Sequence, residues 1–560
     1  MLFPTFTFAI FFLVVFVGSW LLMPRQGLWK PFILIASVVF YGWWDWRFVF
    51  LLAFSAVANQ LFAKAIERAA TAAARKWLLA ATVAVNLVVL GWFKYYGFFV
   101  TSVANALHAF HLNADLPLLR IVLPIGISFL TFRVLSYGID VYRGKMRTSS
   151  MMDFAVYVAF FPYTLAGPIA RASEFLPQLA APRDPRTIDT SRAFFLIFGG
   201  LVKKMLLADY LATHIVNGVF TTPGSYTSLE TLVGIVAYSV QIYCDFSAYS
   251  DIAIGVSLLL GFELPDNFDA PYTAVSVQDF WRRWHMTLSR WLRDYLYIPL
   301  GGNRKGQNRT YVNLFITMVL GGLWHGAGWT FVFWGALYGG ALVVEHRRVD
   351  VRKARFKRRQ RAPALVGAEA DTGDLGFAAT TATGADTGDL GFAAAPPAAD
   401  TPDFGFAAPA PAEATVDGAP MLSAADGRAA ARSSASLAGA PLELDLRPWG
   451  GGVWPRVGTF TFVTFAWVFF RSASLGAAVS VFGQLFRHWG SIGASVTPAV
   501  LLVIVAGIGI QYVPRRFTER AEAGFSVLNP LLQGLALAVG FMLLDVLGPA
   551  GPASFLYFKF

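Results

Sequence analysis

Long apolar stretches separated by short polar ones dominate the pattern of this chain. A helix that crosses a membrane needs about 20 mostly apolar residues to span roughly 30 Å of hydrocarbon. Stretches of this kind, some of them shorter, recur at about 5–23, 31–44, 48–63, 77–92, 121–138, 154–170, 193–211, 229–260, 311–324, 326–344, 456–472, 498–513 and 529–548. The pattern predicts an all-α polytopic membrane protein with about 11–13 membrane helices.

Two of these stretches carry Gly, Pro or polar residues inside apolar sequence. They run from Ile125 to Asp140 and from Phe160 to Ile169. Irregular backbone at membrane depth is tolerated only where surrounding protein shields it. We therefore expect broken or re-entrant helices in both stretches, within a hollow bundle.

Composition supports a membrane protein and excludes several classes of site. Of the 560 residues, 56% are hydrophobic and only 14% are charged. The single cysteine, Cys244, excludes a disulfide framework and a zinc site built from cysteines. The net charge of +11 fits cytoplasmic loops better than a nucleic-acid surface. The apolar segment 1–23 lacks a basic flank and a cleavage site, so we expect a retained first span rather than a signal peptide.

Basic residues predict the orientation in the membrane. The loop from Lys64 to Lys76 is basic, and the segment from Arg347 to Arg361 holds nine Lys or Arg against only Asp350. Such segments remain in the cytoplasm. Counting spans from these anchors puts both the N-terminus and the C-terminus on the extracytoplasmic side.

The segment 346–446 separates a predicted catalytic part, 1–345, from C-terminal spans and a tail, 447–560. After its basic start the composition changes to Ala, Gly, Pro, Thr and Asp, and the motif DTGDLGFAA at 371–379 returns at 386–394. So few large apolar residues cannot build a core. We expect a disordered cytoplasmic tether there, with weak docking by the repeats as the alternative.

A charged and aromatic segment, Ser276 to Arg304, is too polar for a span and too aromatic for a loop. Its apolar residues recur at helical spacing, which predicts an amphipathic helix at the interface or along a cavity. The predicted apolar face consists of Phe280, Trp281, Trp284, His285, Leu288, Trp291, Leu292 and Tyr295. His285 on this face fits either a functional role or structural packing.

His325 is the second histidine of interest, because it lies inside a span-like stretch of 25 residues, Ile316 to Gly340. With an ordinary pKa near 6.5, an imidazole can stay neutral inside a membrane, and the neutral form accepts a proton. Nearby glycines allow a substrate or another helix to approach the ring. The same glycines also fit simple helix packing.

Other polar residues give weaker signals. Asp245 and Asp251 lie in apolar surroundings, and we expect at least one of them to pair with an arginine. A metal site built on His285 and His325 lacks a supporting ligand motif, so no metal is predicted.

Several motifs together resemble the membrane-bound O-acyltransferase (MBOAT) family, and within it the bacterial alginate O-acetyltransferase branch. The resemblance covers nearly the whole chain except the segment from Val349 to about Leu446. The motifs are PYTLAGPIAR (162–171), YCDFSAYSDIAIG (243–255), LPDNFDAPY (264–272), DFWRRWHMTLSRWLRDYLYIPLGGN (279–303) and GGLWHGAGWTFVFWG (321–335).

The resemblance implies a helical core with a transmembrane tunnel in the bacterial inner membrane. Acetyl-CoA is the implied donor substrate, with no bound cofactor, and an extracytoplasmic partner of the hydrolase-like type finishes transfer to an exopolysaccharide or cell-wall glycan. His325 matches the family's catalytic histidine, and His285 matches its second polar position.

Further residues follow from the matched motifs. Arg282, Arg283, Arg290 and Arg293 are expected either to bind the phosphates of CoA or to pair with lipid headgroups. Trp284, Trp324 and Asn267 are expected to line the tunnel or contact the donor. The ending F-x-Y-x-x-F makes Tyr557 either an acyl relay or an aromatic anchor at the membrane interface.

Three alternatives remain open at this point. In the first, the donor is a carrier-protein thioester, as in the related D-alanyl transfer branch. In the second, the chain is a transporter, because transporters also use broken helices and polar groups at the midplane. In the third, the chain is an inactive scaffold that recruits envelope enzymes through the repeats.

Overall fold

The computed structural model describes residues 1, 3–112, 116–369, 452–490, 493–548 and 555. Within these ranges every regular element is a helix, which confirms the all-α prediction. The N-terminal helices are α1 (Phe6–Leu22), α2 (Gln26–Gly42), α3 (Arg47–Arg68), α4 (Ala72–Leu90) and α5 (Tyr96–Ala109). The middle of the chain forms α6 (Ile127–Tyr142), α7 (Met151–Ala159), α8 (Phe161–Thr164), α9 (Ala172–Phe175), α10 (Thr190–Val202), α11 (Asn217–Thr221) and α12 (Ser228–Leu259).

The remaining helices surround the two histidines and complete the bundle. They are α13 (Val277–Arg283), α14 (Met286–Leu292), α15 (Gln307–His325), α16 (Trp329–Glu369), α17 (Val453–Arg471), α18 (Leu475–Gln484), α19 (Pro498–Gly509), α20 (Arg515–Val527) and α21 (Pro530–Leu547). Wider π-helical turns extend four of the helices, at Gly91–Tyr95, Lys203–Asp209, Ala212–Val216 and Arg293–Tyr297.

Several helices of the described chain are long and apolar enough to cross a membrane. By length and hydropathy they are Arg47–Arg68, the continuous Ala72–Ala109, Ser228–Leu259 and Val453–Arg471. A fifth results if α19 and α20, which meet at 90°, count as one span. The other helices are shorter, broken or more polar, so the polytopic architecture is confirmed and the larger number of spans stays a prediction.

Helix α12 forms the centre of the bundle, and 83% of its most apolar 18-residue window is buried. Its acidic residues pair with lysines of the π-helical turn that follows α10. The Lys204 ammonium lies 2.8 Å from Asp209 and 2.7 Å from Asp245, and Lys203 pairs with Asp251. The expectation of an arginine partner was wrong, because the wider turn brings two consecutive lysines to this face of α12.

The predicted break after Phe160 is confirmed, and a buried arginine stabilises it. Helix α7 ends at Ala159 and α8 begins at Phe161, with Phe160 outside helical geometry. The break frees carbonyl groups that need donors. Arg133 donates to the carbonyl of Tyr163 at 3.0 Å, and the Thr164 hydroxyl donates to that of Phe160 at 2.6 Å.

Helix α6, which carries Arg133, is continuous from Ile127 to Tyr142, so the expected break does not occur within it, and the alternative of a re-entrant helix stays a prediction. Its polar side chains find partners across the helix face instead of interrupting the backbone. Tyr295, for example, donates to Asp140 at 2.6 Å.

The segment 276–304 differs from the single amphipathic helix that its spacing predicts. All eight residues of the predicted apolar face are buried, which confirms the face. The backbone, however, breaks between α13 and α14, where His285 adopts a left-handed conformation with φ of 44°.

The C-terminal part of α16 also differs from expectation, since the helix continues to Glu369 through the basic residues predicted to lie in the loop 346–446.

Candidate active site

His325 is the last residue of α15 and is almost fully buried. The backbones of α15 and α16 approach each other closely just before and after it. A Cβ on Gly322 would lie 2.3 Å from the carbonyl oxygen of Phe331, and one on Gly335 would lie 2.4 Å from that of Met318. Only glycine permits this approach, so the α15–α16 hairpin places His325 rigidly.

A half-buried lysine holds the main chain at His325. The ammonium of Lys94 donates to the carbonyl oxygens of Trp324 at 2.6 Å and of His325 at 3.0 Å, and to the Ser128 hydroxyl at 3.1 Å. The neighbouring Tyr95 hydroxyl donates to the carbonyl of Leu323 at 2.8 Å. The last carbonyls of a helix lack partners within the helix and carry partial negative charge, so a cation there is favourable.

Sequence reasoning missed Lys94, although a signal was present. It is a single lysine within the apolar sequence GWFKYYGFF, and a charge retained at membrane depth indicates a specific partner.

His285 is held through its side chain. Its Nδ1 lies 3.1 Å from Oδ1 of Asn267, which also accepts from the backbone N–H and the hydroxyl of Thr287 at 3.3 and 2.9 Å. The side-chain amide N–H of Asn267 donates to the Ser250 hydroxyl at 3.0 Å, and the main-chain carbonyl of Asn267 accepts from the N–H of Met286 at 3.0 Å. These bonds draw the chain toward Asn267 and explain the break at His285.

The two imidazoles lie in one aromatic enclosure with ring centres 6.4 Å apart. Trp324 contacts both, at 4.9 Å from His325 and 6.0 Å from His285. Trp334 and Phe470 pack on His325, whereas Phe246 packs edge-on against His285 at 4.8 Å. One small group placed between the rings can therefore contact both imidazoles.

A cavity of about 140 Å³ reaches His325 and also includes Trp324, Lys94 and Trp44 in its lining. A second cavity of about 250 Å³ shares Trp44, Ile125 and Leu165 with it. The two cavities together form a cleft from the turn between α2 and α3 to His325. The described residues contain no group of three or more His, Cys, Asp or Glu side chains that would hold a metal.

The arginines expected near a donor mostly face carboxylates. Arg283 lies 2.9 Å from Asp279, Arg290 3.5 Å from Glu174, and Arg293 2.7 Å from Asp294. A phosphate would have to compete with these ion pairs.

The remaining expected residues differ in position. Arg282 is half-buried on α13, and Trp284 is fully buried against Phe280 and Phe268. Trp324 lines the cavity beside His325, whereas Asn267 bonds to His285.

Phe555 of the C-terminal segment reaches the same enclosure. Phe555 is fully buried and stacks on Tyr249 with ring centres 3.9 Å apart, and it lies 6.1 Å from Phe246. Phe246 in turn contacts His285. Tyr557, the expected relay or anchor, lies outside the described residues.

Comparison with known proteins agrees with this arrangement. Residues 35–372 match the model of MBOAT, the membrane-bound O-acyltransferase family. The chain is 44% identical over 349 residues to a probable alginate O-acetylase AlgI of Pseudomonas aeruginosa, a match that covers 62% of this chain and 66% of that protein. It is 38% identical over 375 residues to a peptidoglycan O-acetyltransferase of Helicobacter pylori, which covers 61% and 69%.

A more distant relative transfers a different group. The chain is 31% identical over 250 residues to a teichoic acid D-alanyltransferase of Streptococcus thermophilus, a match that covers 42% of this chain and 60% of the relative. Both histidines and the lining of the 140 Å³ cavity lie within the matched family region. The chain belongs to the membrane-bound O-acyltransferase family and is an acyltransferase of that family.

Proposed function

We propose that this protein transfers acetyl groups from cytoplasmic acetyl-CoA across the membrane for O-acetylation of an extracytoplasmic polysaccharide. The observation that carries the proposal is the pair of buried imidazoles, of which His325 lines the cleft, in a chain similar to alginate and peptidoglycan O-acetyltransferases. An outer-face partner protein of the hydrolase-like type completes the transfer to the glycan.

The chemistry needs little beyond a base and a dry enclosure. A hydroxyl oxygen attacks the thioester carbonyl carbon, the carbon–sulfur bond breaks, and the hydroxyl proton ends on the departing thiolate. His325 is the general base, a role worth roughly 10²–10⁴-fold in rate. His285 is its partner, which either positions the reacting group or stabilises the oxyanion.

The positions of basic residues support access from two sides. Helix α3 ends at Arg68 in the predicted cytoplasmic loop, so its other end, next to Trp44, faces outward. Trp44 lines the cleft that leads to His325, so this cleft serves the outer face in our proposal. The donor enters from the opposite side, near α13 and α14.

The tail supports an acyl relay through Tyr557. Phe555, two residues earlier, is buried against Tyr249 beside the Phe246–His285 contact, so this residue of the tail lies near His285. In the relay, the Tyr557 hydroxyl takes the acetyl group and passes it to the partner. We expect Tyr557→Phe to abolish acetylation of the glycan in whole cells; unchanged acetylation would leave an interface anchor as its role.

Similarity to teichoic acid D-alanyltransferases favours one alternative, in which the donor is a thioester on a carrier protein. The test uses inverted membrane vesicles given either radiolabelled acetyl-CoA or an acyl-carrier thioester, with the partner protein supplied. We expect label from acetyl-CoA on protein and glycan in the wild type and its loss in His325→Ala at matched expression. Label from the carrier thioester alone would replace the donor, and no label from either would contradict acyl transfer.

A further inference from the structure

The amide of Asn267 determines which nitrogen of His285 carries hydrogen. A backbone N–H can only donate, so the Asn267 atom that faces the N–H of Thr287 is the carbonyl oxygen. The hydroxyl of Thr287 accepts from the N–H of Ile169 at 3.0 Å, which leaves its own hydrogen for the same Asn267 oxygen.

Because that oxygen accepts, His285 must be the donor in the 3.1 Å contact between its Nδ1 and Asn267. The neutral ring therefore holds its hydrogen on Nδ1 and a lone pair on Nε2.

Nε2 of His285 is buried and has no hydrogen-bond partner in the part of the chain that the structure describes. The rings around it are those of Phe246, Phe129, Trp324 and His325. A buried polar atom without a partner needs an explanation, and a catalytic role is one that fits this position. Since Nε2 carries a lone pair, it can accept a hydrogen bond from a donor that enters this enclosure.

We propose that Asn267 is a positioning residue that fixes the tautomer of His285, so that Nε2 of His285 accepts the hydrogen bond of the attacking hydroxyl and shares the base role that the proposed function gives to His325. This inference rests on the proposed acyl transfer and decides the role of His285 within it. As the hydroxyl oxygen bonds to the acetyl carbon and the carbon–sulfur bond breaks, the hydroxyl proton passes to Nε2 of His285 and from that imidazolium to the departing thiolate, with His325 beside it as the second base of the pair. In this tautomer neutral His285 cannot donate a hydrogen bond from Nε2 to an oxyanion.

Two substitutions at one position separate hydrogen bonding from packing. Asn267→Leu removes the acceptor, whereas Asn267→Asp retains an oxygen for His285 and Thr287 and offers a second to the Ser250 hydroxyl. We expect Asn267→Leu to lower kcat for acetyl transfer about 10²-fold, because a wrong tautomer of a catalytic histidine is costly. The KM for acetyl-CoA should change little, and Asn267→Asp should recover kcat to within about 10-fold of the wild type.

A double-mutant cycle tests whether Asn267 acts through His285. In a His285→Ala background, Asn267→Leu should cause no further loss of kcat. Equal losses from Leu and Asp, retained activity in Asn267→Leu, or a full second loss in the His285→Ala background would overturn the proposal. If His285→Ala leaves only background activity, the comparison of Leu with Asp decides.

Folding and the underlying reaction are controlled separately. The thermal stability of each variant is measured in detergent, and kcat is compared only between variants whose stability equals that of the wild type. If Asn267→Leu does not fold, the pair Thr287→Val and Thr287→Ser replaces the Asn267 pair. Val should lower kcat at least 10-fold more than Ser; equal values would overturn the proposal. A wild type that transfers no label from acetyl-CoA contradicts the proposed function, whereas an active wild type with an equally active Asn267→Leu contradicts only the role of Asn267.

Discussion

His325 and His285 lie in two regions that hold an imidazole in different ways. His325 ends a long helix, and Lys94 and Tyr95 bind the main-chain carbonyls around it. His285 lies at a break between two short helices, and Asn267 binds its ring directly. Main-chain contacts fix where a residue lies, whereas a ring contact also fixes which nitrogen carries hydrogen. This difference predicts that disturbance of the two regions gives different losses.

The largest effect should follow removal of the imidazole held by the main chain. We expect His325→Ala to lower acetyl transfer by about 10²–10⁴-fold, the usual contribution of a general base. Label transferred from acetyl-CoA in vesicles measures it, with the exposed His214→Ala as the control. Activity within 10-fold of the wild type would remove His325 from the chemistry.

Loss of the lysine that binds the main chain should come next. Lys94→Met leaves two helix-end carbonyls without their donor, and a buried group without its partner costs about 1–3 kcal/mol. We expect lower thermal stability and a fall of about 10-fold or more in kcat. Tyr95→Phe, which removes one bond from the same region, should show a smaller loss in both measurements. If Tyr95→Phe matches or exceeds Lys94→Met, the lysine does not hold His325.

Crowding of the α15–α16 hairpin should have a moderate effect. The added Cβ of Gly335→Ala meets the carbonyl oxygen of Met318 at 2.4 Å, and overpacking costs about 1–3 kcal/mol. Gly340→Ala is a matched control on the same helix, since nothing lies within 4 Å of its added Cβ. Thermal unfolding should separate the two variants, and equal melting temperatures would show that the hairpin is not rigid.

The smallest effect is expected where arginine pairs with carboxylate. The Arg290–Glu174 pair is 3.5 Å long and partly exposed, so its loss should cost less than about 1 kcal/mol. Arg290→Gln should leave the KM for acetyl-CoA within about 2-fold of the wild type. A rise of 10-fold or more in this KM would restore the phosphate-binding role.

Apolar periodicity predicted much of the fold but little of the polar bonding at the site. The buried face of 276–304 is confirmed, because helical spacing and aromatic side chains reflect burial directly. The break at His285 was not predicted, because it depends on Asn267, a residue 18 positions away whose amide recruits the backbone. Spacing within one segment carries no information about such a contact.

The same limit applies to His325. Sequence pointed to this histidine because one imidazole stands in apolar surroundings, but its restraint comes from Lys94, 231 positions earlier. The acceptors are main-chain carbonyls, which no residue type marks. The lysine itself was visible as a charge in an apolar span. The energetic cost of burying that charge in a membrane is the sequence signal for its contact with the main chain at His325.

Sidedness tests the central claim most directly. Sealed inverted vesicles receive labelled acetyl-CoA outside, which is the cytoplasmic face, and carry the partner protein and glycan inside. We predict label on the enclosed glycan in the wild type and none in His325→Ala. Label only on molecules outside the vesicles would contradict transfer across the membrane, even if His325 were required for it.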